Sequence, residues 1–233
     1  AGANDGMLHG FDAGTYTVGD DLSTPETETV YYTPGYGTER FGFVPGLLLD
    51  DVKMVPRNSP RTYYFVDGSP VAADVWIPSS ASDVSKEKIE WTTVLMAGYR
   101  EGGEGYLALD VTEPGAVTGR HGPYPKFMWE FTDSTLGEAW SEPVITRVRV
   151  EEGIAGDVCG ANDGDGDCRE RWVAIFGGGY ETAADPNHAD FAATSADTNW
   201  TLRSKAIYMV DLATGTVLDK IQYDASTNPN MLY

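Results

Sequence analysis

An internal repeat of short apolar segments, bounded by Gly, Pro and Asp, limits the fold of this chain more than any other feature. Both copies begin with an x-Pro-Val segment, continue with a Trp-to-Gly-Tyr segment, and then have a segment that ends in Asp. Runs of this length, rich in β-branched and aromatic residues, are typical of β-strands. The four segments of the first copy are 68–75, 91–99, 105–111 and 127–131, and those of the second are 141–148, 172–180, 206–212 and 216–223.

Four strands per copy, repeated at intervals of about 70 to 100 residues, predict an all-β protein built as a partial β-propeller. Its blades are four-stranded and antiparallel, with long loop insertions: residues 62–131 form one blade, 141–223 another, and 1–12 part of an earlier one. Because a propeller needs at least about four blades to close, we expect a propeller fragment. The remainder of the propeller or another chain would then complete it. A β-sandwich is the structural alternative.

Residues 13–61 are predicted to be an insertion between the first, partial blade and the next one. Within it, residues 46–52 have the pattern of a short amphipathic helix that could cap the propeller. Asp12, Asp110 and Asp211 each end a predicted strand. A structural role is the expectation for them, because Asp at such a position accepts backbone N–H groups in an Asx-turn.

The charge of the chain excludes several classes of partner. Sixteen basic residues against 36 acidic ones give a net charge of −20, which repels nucleic-acid phosphates and anionic lipid headgroups. No apolar run approaches the roughly 20 residues of a membrane-spanning helix, so neither nucleic-acid binding nor membrane insertion is expected. The opening Ala-Gly-Ala-Asn-Asp-Gly reads as the interior of a longer protein.

The sequence contains no recognisable catalytic motif. There is no G-x-S-x-G elbow, no H-E-x-x-H helix and no Walker loop, and the three histidines (His9, His121 and His188) are scattered. His9 lies in a predicted strand beside an aromatic residue, so we expect it to pack rather than to react. The chain is therefore predicted not to be an enzyme.

Two cysteines, Cys159 and Cys168, flank an acidic, Gly-rich loop. A disulfide between them would close a ten-residue ring and stabilise the fold by about 2.5–3 kcal/mol in the chain-entropy model. The loop composition and the lack of nearby zinc ligands favour the disulfide, and with it an oxidising compartment. Two reduced thiols are the alternative.

The same loop (157–170) carries the strongest candidate for a metal site. Asp163, Asp165 and Asp167 alternate with glycines, and three close carboxylates repel one another unless a cation neutralises them. Hard oxygen ligands suit calcium, and Asp157 or Glu170 could complete its coordination. We therefore expect a calcium site here. A solvated acidic hairpin loop without metal is the alternative.

Several stretches resemble the C-terminal propeller of the type IV pilus tip-associated adhesin family, the PilY type. The resemblance implies a non-enzymatic, surface-exposed protein that is exported through the periplasm to the pilus tip. It also implies a role in pilus assembly and adhesion, through contacts with pilin or minor pilin subunits and with a host or surface ligand. The similar stretches follow family order, and they are 2–11, 39–45, 64–74, 91–112, 129–131, 141–144, 176–180 and 207–215.

One departure from the family pattern limits what the resemblance implies. The family's calcium loop would follow the blade that ends at the Asp-x-x-Thr-Gly turn of 211–215, beyond this chain, so the acidic loop at 157–170 does not inherit that site. A structural subunit of another extracellular filament or surface complex is the alternative function. A quinoprotein dehydrogenase propeller is a further alternative, but residues 216–219 lack the Trp that should follow the turn.

Overall fold

The computed structural model describes residues 1–19, 29–53, 63–80, 85–151, 168–180 and 203–222 of this chain. These residues form an all-β protein with little helix. Its strands are β1 (Leu8–Phe11), β2 (Gly14–Gly19), β3 (Thr29–Pro34), β4 (Glu39–Phe43), β5 (Val71–Trp76), β6 (Trp91–Gly98), β7 (Tyr106–Asp110), β8 (Lys126–Phe131), β9 (Val144–Glu151), β10 (Cys168–Gly177), β11 (Ala206–Asp211) and β12 (Val217–Gln222). Short helical turns lie at Gly46–Leu48 (3-10), Leu49–Val52 (α1) and Lys88–Glu90 (3-10).

Each of the two predicted four-strand units forms one antiparallel sheet. Sheet I consists of β5, β6, β7 and β8 in that order, and sheet II consists of β9, β10, β11 and β12, also in chain order. Within each of these two sheets, strands that follow one another in the chain lie side by side, which is the usual arrangement of consecutive antiparallel strands. The strand content and strand order expected from the repeat are confirmed.

A two-stranded sheet precedes sheet I, and its composition differs from the expectation. β1 pairs with β4, with Leu8 opposite Phe43, so residues 39–43 belong to the first, partial unit and not to the insertion. The inserted part within 13–61 includes the β2–β3 hairpin, which forms a separate two-stranded sheet. The segment at 46–52 is helical, as its pattern indicated.

A bulge recurs at the same place in all three units. The register shifts between Gly10 and Phe11, between Ala108 and Leu109, and between Met209 and Val210. In each unit the shift lies just before the strand-end Asp. Because bulges bend a strand and increase its twist, this shared defect shows that the units are structural repeats and not only similar in sequence.

The register also corrects the alignment of the two sheets. Gly98 pairs with Tyr106 and Gly177 pairs with Ile207, and each partner lies four residues before the strand-end Asp. Gly98 therefore corresponds to Gly177, whereas matching the Trp-to-Gly-Tyr segments had placed it opposite Gly179. The displacement of two residues leaves the inward and outward alternation unchanged.

The sheets stack in the same orientation, so that opposite faces are in contact. We call the face of a sheet that is directed toward the next unit in the chain its forward face, and the opposite one its backward face. The forward face of sheet I packs against the backward face of sheet II in one hydrophobic core, which includes Met96, Tyr106, Phe131, Phe176 and Tyr208. Close packing of such a core supplies most of the free energy that holds the sheets together.

A second core covers the other side of sheet I. Leu107 and Leu109, on its backward face, pack against Leu8 of β1 and against Leu48 of the 3-10 turn. Every residue of β7 is consequently buried. Sheet I is covered on both faces, which explains why its central strand is apolar throughout. In the described part of the chain the sheets form a stack, not a closed ring.

Candidate functional site

The structure describes only one of the five predicted calcium ligands. Glu170 lies on β10, and its carboxylate oxygens are 2.6 Å from Lys86 Nζ and 3.8 Å from Arg147 Nη1. The remaining four ligands (Asp157, Asp163, Asp165 and Asp167) lie outside the described residues. Among the residues that are described, no three His, Cys, Asp or Glu side chains converge on a metal position. The calcium site stays a prediction.

The predicted disulfide is also untested. Cys159 lies outside the described residues, and Cys168 is the first residue of β10. In the chain, the acidic loop lies between β9 and β10, which pair from Glu151 opposite Cys168 onward.

The three strand-end aspartates have the expected structural role. In Asp12, Asp110 and Asp211, Oδ1 accepts the backbone N–H of the residue two positions later, at 2.9–3.0 Å. This contact defines an Asx-turn. The prediction that these residues serve the turns is confirmed.

Two acidic groups of sheet I are buried with hydrogen-bond partners. Glu90 accepts hydrogen bonds from the indole of Trp76 (2.8 Å) and from the backbone N–H of Ser79 (2.7 Å), and these bonds lower the pKa of Glu90 to about 2. Asp110 Oδ2 lies 2.8 Å from Nδ1 of His121, and both side chains are at most 5% exposed. Both groups lie inside the fold, where satisfied polar pairs fix the loops around a sheet.

His9 has two acidic neighbours and does not simply pack in the core. Its Nδ1 lies 2.6 Å from Glu39 Oε1 and its Nε2 lies 2.9 Å from Asp5 Oδ2, while its ring stacks on Phe11. The hydrogen bond to Glu39, followed by the contact with Asp5, raises the pKa of His9. The protonated ring therefore joins β1 to β4 and to the preceding loop.

A polar network crosses from the end of sheet I to sheet II. Asp133 Oδ1 accepts hydrogen bonds from Lys220 Nζ (2.9 Å), from the hydroxyl of Tyr208 (3.1 Å) and from Thr135. Burial favours the neutral carboxyl, but the bonds from Lys220 and Thr135 outweigh it and lower the pKa of Asp133 to about 2. The ionised form of Asp133 thus holds the two sheets together.

Trp129 is the interface residue that sequence reasoning missed. It lies on β8 of sheet I, its indole Nε1 donates to the carbonyl oxygen of Leu212 at 2.8 Å, and its ring covers Gly215. Residues 216–219 contain no Trp. The Trp that packs on the 211–215 turn comes from the preceding sheet, 83 positions before Leu212. No local pattern could reveal a contact of that sequence separation.

A groove lies at the end of sheet II where β10 stops. Its volume is about 760 Å³. A smaller cleft of about 320 Å³ lies at the matching end of sheet I, beside Gly68, Gly98 and Arg100. The groove of sheet II is lined by Trp140, Ser141, Gly177, Gly178, Gly179, Tyr180, Ser204 and Ala206.

The groove combines aromatic walls with an exposed backbone. Trp140 and Tyr180 meet edge to face, 6.5 Å apart, and both are partly exposed. On its other side Trp140 carries the guanidinium of Arg100, 4.2 Å from the ring. Three consecutive glycines lie between these walls; Gly177 and Gly179 are partly exposed, and Gly178 is buried. Such a surface suits an extended peptide better than a reaction centre, since it presents planar contacts and backbone groups but few ionisable side chains.

The fold defines a class first: the described residues form an all-β protein of stacked, repeated antiparallel sheets. Comparison with known proteins then gives its relatives. No family model matches the chain. It is 26% identical over 238 residues to the type IV pilus biogenesis factor PilY1 of Pseudomonas aeruginosa strain PAO1, covering 99% of this chain and 14% of that protein.

Relatives in a second organism give the same result. A PilY1 homologue of Xylella fastidiosa is 26% identical over 232 residues, covering 98% of this chain and 11% of the homologue. The crystal structure of the P. aeruginosa PilY1 C-terminal domain is 26% identical, with a TM-score of 0.49, and the match covers 97% of this chain and 30% of that one. The chain thus spans about a seventh or less of these full-length relatives, and it is related to the PilY-type pilus biogenesis factors, as its ordered motifs predicted.

Within the described residues, no helix is long and apolar enough to cross a membrane.

Proposed function

We propose that this chain is part of the β-propeller of a PilY-type protein and acts in type IV pilus biogenesis at the cell surface, through protein contacts and without catalysis. The observation that carries the proposal is the similarity to PilY1, which extends over 99% of the chain. The repeated sheets agree with the proposal, since they lie within the span of the chain that is similar to PilY1.

The way in which the units stack supports the proposed propeller. The partial unit β1–β4 covers the backward face of sheet I, and sheet I covers the backward face of sheet II. Units that stack face to face with a constant rotation generate a ring when enough of them are present. Both faces of each sheet are then covered, as both faces already are at β7.

Contacts with pilin or minor pilin subunits are the proposed activity, and a host or surface ligand is the proposed adhesive target. The net charge of −20 keeps such a protein soluble and directs it toward basic protein surfaces. Export through the periplasm agrees with the proposed disulfide between Cys159 and Cys168, because disulfides form and persist in that compartment.

Calcium is proposed to stabilise the loop between β9 and β10, held by Asp163, Asp165, Asp167 and Asp157. Glu170 is already engaged by Lys86 and Arg147, so we expect Glu170→Gln to leave the calcium response unchanged. Thermal unfolding with millimolar calcium or chelator tests the site. A melting temperature that is equal in both conditions would remove it.

The test of the pilus function is an in-frame deletion of this segment from the parent gene in the bacterium that encodes it. We expect surface pili, recovered by shearing, to be lost. Complementation with the wild-type segment should restore pili, and so should Val117→Ala, since Val117 is 78% exposed. Trp129→Asp, which places a charge in the interface between the sheets, should not. Normal piliation after the deletion would refute the proposal.

A further inference from the structure

The groove at the end of sheet II has an occupied counterpart within the same chain. In sheet I, the corresponding cleft beside Gly98 receives the segment that leads into sheet II. The backbone N–H of Arg100 donates to the carbonyl oxygen of Ala139 at 3.3 Å, and the N–H of Ala139 donates to the carbonyl oxygen of Gly103 at 3.2 Å. An extended segment is thus held by a pair of backbone hydrogen bonds, as in strand addition.

The groove of sheet II has the same construction. From the register, Gly177 corresponds to Gly98, Gly179 to Arg100, and Ser204 to Gly103. The same closing bond is present in both sheets: Tyr99 N–H donates to Gly105 O at 3.1 Å, and Gly178 N–H donates to Ala206 O at 2.6 Å. The two ends therefore share this closing bond. In sheet II the loop is already paired on one side, where Gly178 O and Tyr180 bond to Gly137 and Glu138, but no described residue occupies the position that Ala139 takes in sheet I.

The glycine at position 177 supports the inference that a further segment docks in the groove. A Cβ on Gly98 would lie 2.6 Å from the carbonyl oxygen of Ala139, so the docked segment itself requires glycine there. A Cβ on Gly177 would meet only Ser141, at 3.7 Å, which is an ordinary contact. Neither glycine has a positive φ. Nothing in the described part of the chain explains glycine at 177, whereas a carbonyl group docked as at Gly98 would explain it.

The segments that dock in this way share a sequence pattern. Ala139 is 1% exposed and precedes Pro143-Val144 by four residues, and Val66, also 1% exposed, precedes Pro70-Val71 by four residues. The segment before β1 also approaches Val66 closely: a Cβ on Gly2 would lie 1.7 Å from its carbonyl oxygen. The pattern is therefore a small apolar residue, three further residues, and Pro-Val.

We propose that the groove formed by Gly177, Gly178, Gly179 and Ser204 binds an extended peptide segment with this pattern, the leading segment of a further sheet. The carbonyl oxygen of its small apolar residue would accept from Gly179 N–H, and its N–H would donate to Ser204 O. The exposed forward face of sheet II continues the same surface, since Val144, Ile207 and Ile221 are 61%, 46% and 50% exposed. The inference rests on the proposed stacking of repeated sheets, but not on the pilus function.

The test uses the full chain, labelled with ¹⁵N, and a synthetic peptide with the sequence of residues 134–145. We expect saturable shifts of the Gly177–Gly179 amide signals at millimolar or lower peptide concentration. The control peptide carries Ala139→Glu, which is too large for the cleft, and should produce none. The matched protein variant is Gly177→Ala. It should fold with an unchanged melting temperature, yet weaken peptide binding at least about tenfold, a loss of about 1.4 kcal/mol.

Four results would overturn the inference. They are the absence of shifts at millimolar peptide, equal binding by Gly177→Ala, a melting temperature that Gly177→Ala lowers, and self-association of the chain that this variant abolishes. The third would show that another part of this chain fills the groove, and the fourth that a second copy does. Because none of these measurements depends on pili, a failure here is distinguishable from a failure of the proposed function.

Discussion

Sheets I and II have the same strand order, the same bulge and the same Asx-turn, but their forward faces differ in environment. Tyr106 and Phe131 of sheet I are 0% and 6% exposed, whereas Ile207 and Ile221, at the matching positions of sheet II, are 46% and 50% exposed. Equivalent positions thus contribute differently to stability. The difference teaches that the burial pattern of a repeat depends on its neighbour, not only on its own sequence.

The largest contrast is expected between Phe131→Ala and Ile221→Ala. Phe131 lies in the core between the sheets, so its truncation should lower the free energy of unfolding by about 3–5 kcal/mol. Ile221→Ala should cost less than about 1 kcal/mol, because half of that side chain is already in water. Chemical denaturation of both variants measures the contrast. Equal losses would mean that the forward face of sheet II is covered as well.

Replacing the equivalent glycines of the two sheets should give a smaller difference in the free energy of unfolding. Gly98→Ala places a methyl group against the carbonyl oxygen of Ala139 and the ring of Tyr106, and should destabilise the fold by about 1–3 kcal/mol. Gly177→Ala should change the free energy of unfolding by no more than about 0.5 kcal/mol. Unfolding curves recorded in parallel check this. A stable Gly98→Ala protein would contradict the docked position of the segment at Ala139.

The polar contact between the sheets should affect how the free energy of unfolding changes with pH in the acidic range. The pKa of Asp133 is lowered from 3.8 to about 2 in the fold, so its ionised form stabilises the protein at pH values above 3.8. That contribution, about 1–2 kcal/mol, should disappear as the pH falls from 3.8 through about 2. Asp133→Asn should remove it already at neutral pH and flatten the curve. An unchanged curve would exclude a role for the Lys220 contact.

The smallest effect is expected in the partial unit before sheet I. The pKa of His9 is raised above 6.5 by Glu39 and Asp5, so its protonated form stabilises the fold fully below pH 6.5. The contribution should be lost as the pH rises through the pKa of the folded state. His9→Gln should therefore lower the melting temperature at pH 5.5 but not at pH 9. The same loss at both pH values would show that only packing on Phe11 matters.

Much of the fold could be predicted from sequence because its pairings are local. Each four-strand sheet joins neighbouring segments, and the apolar run of β7 (Tyr106–Asp110) already indicated burial on both faces. The Asx-turn at Asp211 also follows from adjacent residues, since its partners lie two and three positions later. Local chemistry is sufficient for such features.

Contacts across long separations could not be predicted in this way. β4 was assigned to an insertion because the β2–β3 hairpin separates it from its partner β1 in the chain. The Trp129 contact with Leu212 depends on how two sheets stack, which no periodicity encodes. Matching the tryptophans of the two copies places Gly98 opposite Gly179. The strand pairing places it opposite Gly177, two residues earlier.

Side-chain footprinting with hydroxyl radicals on the intact chain tests the central claim most directly: equivalent sheets stack in one direction, and no described residue covers the forward face of sheet II. We expect Tyr106 and Phe131 to be protected, and Val144 and Ile221 to be labelled. Protection of Val144 and Ile221 to the level of Phe131 would contradict the uncovered face, and labelling of Phe131 would contradict the stacking itself.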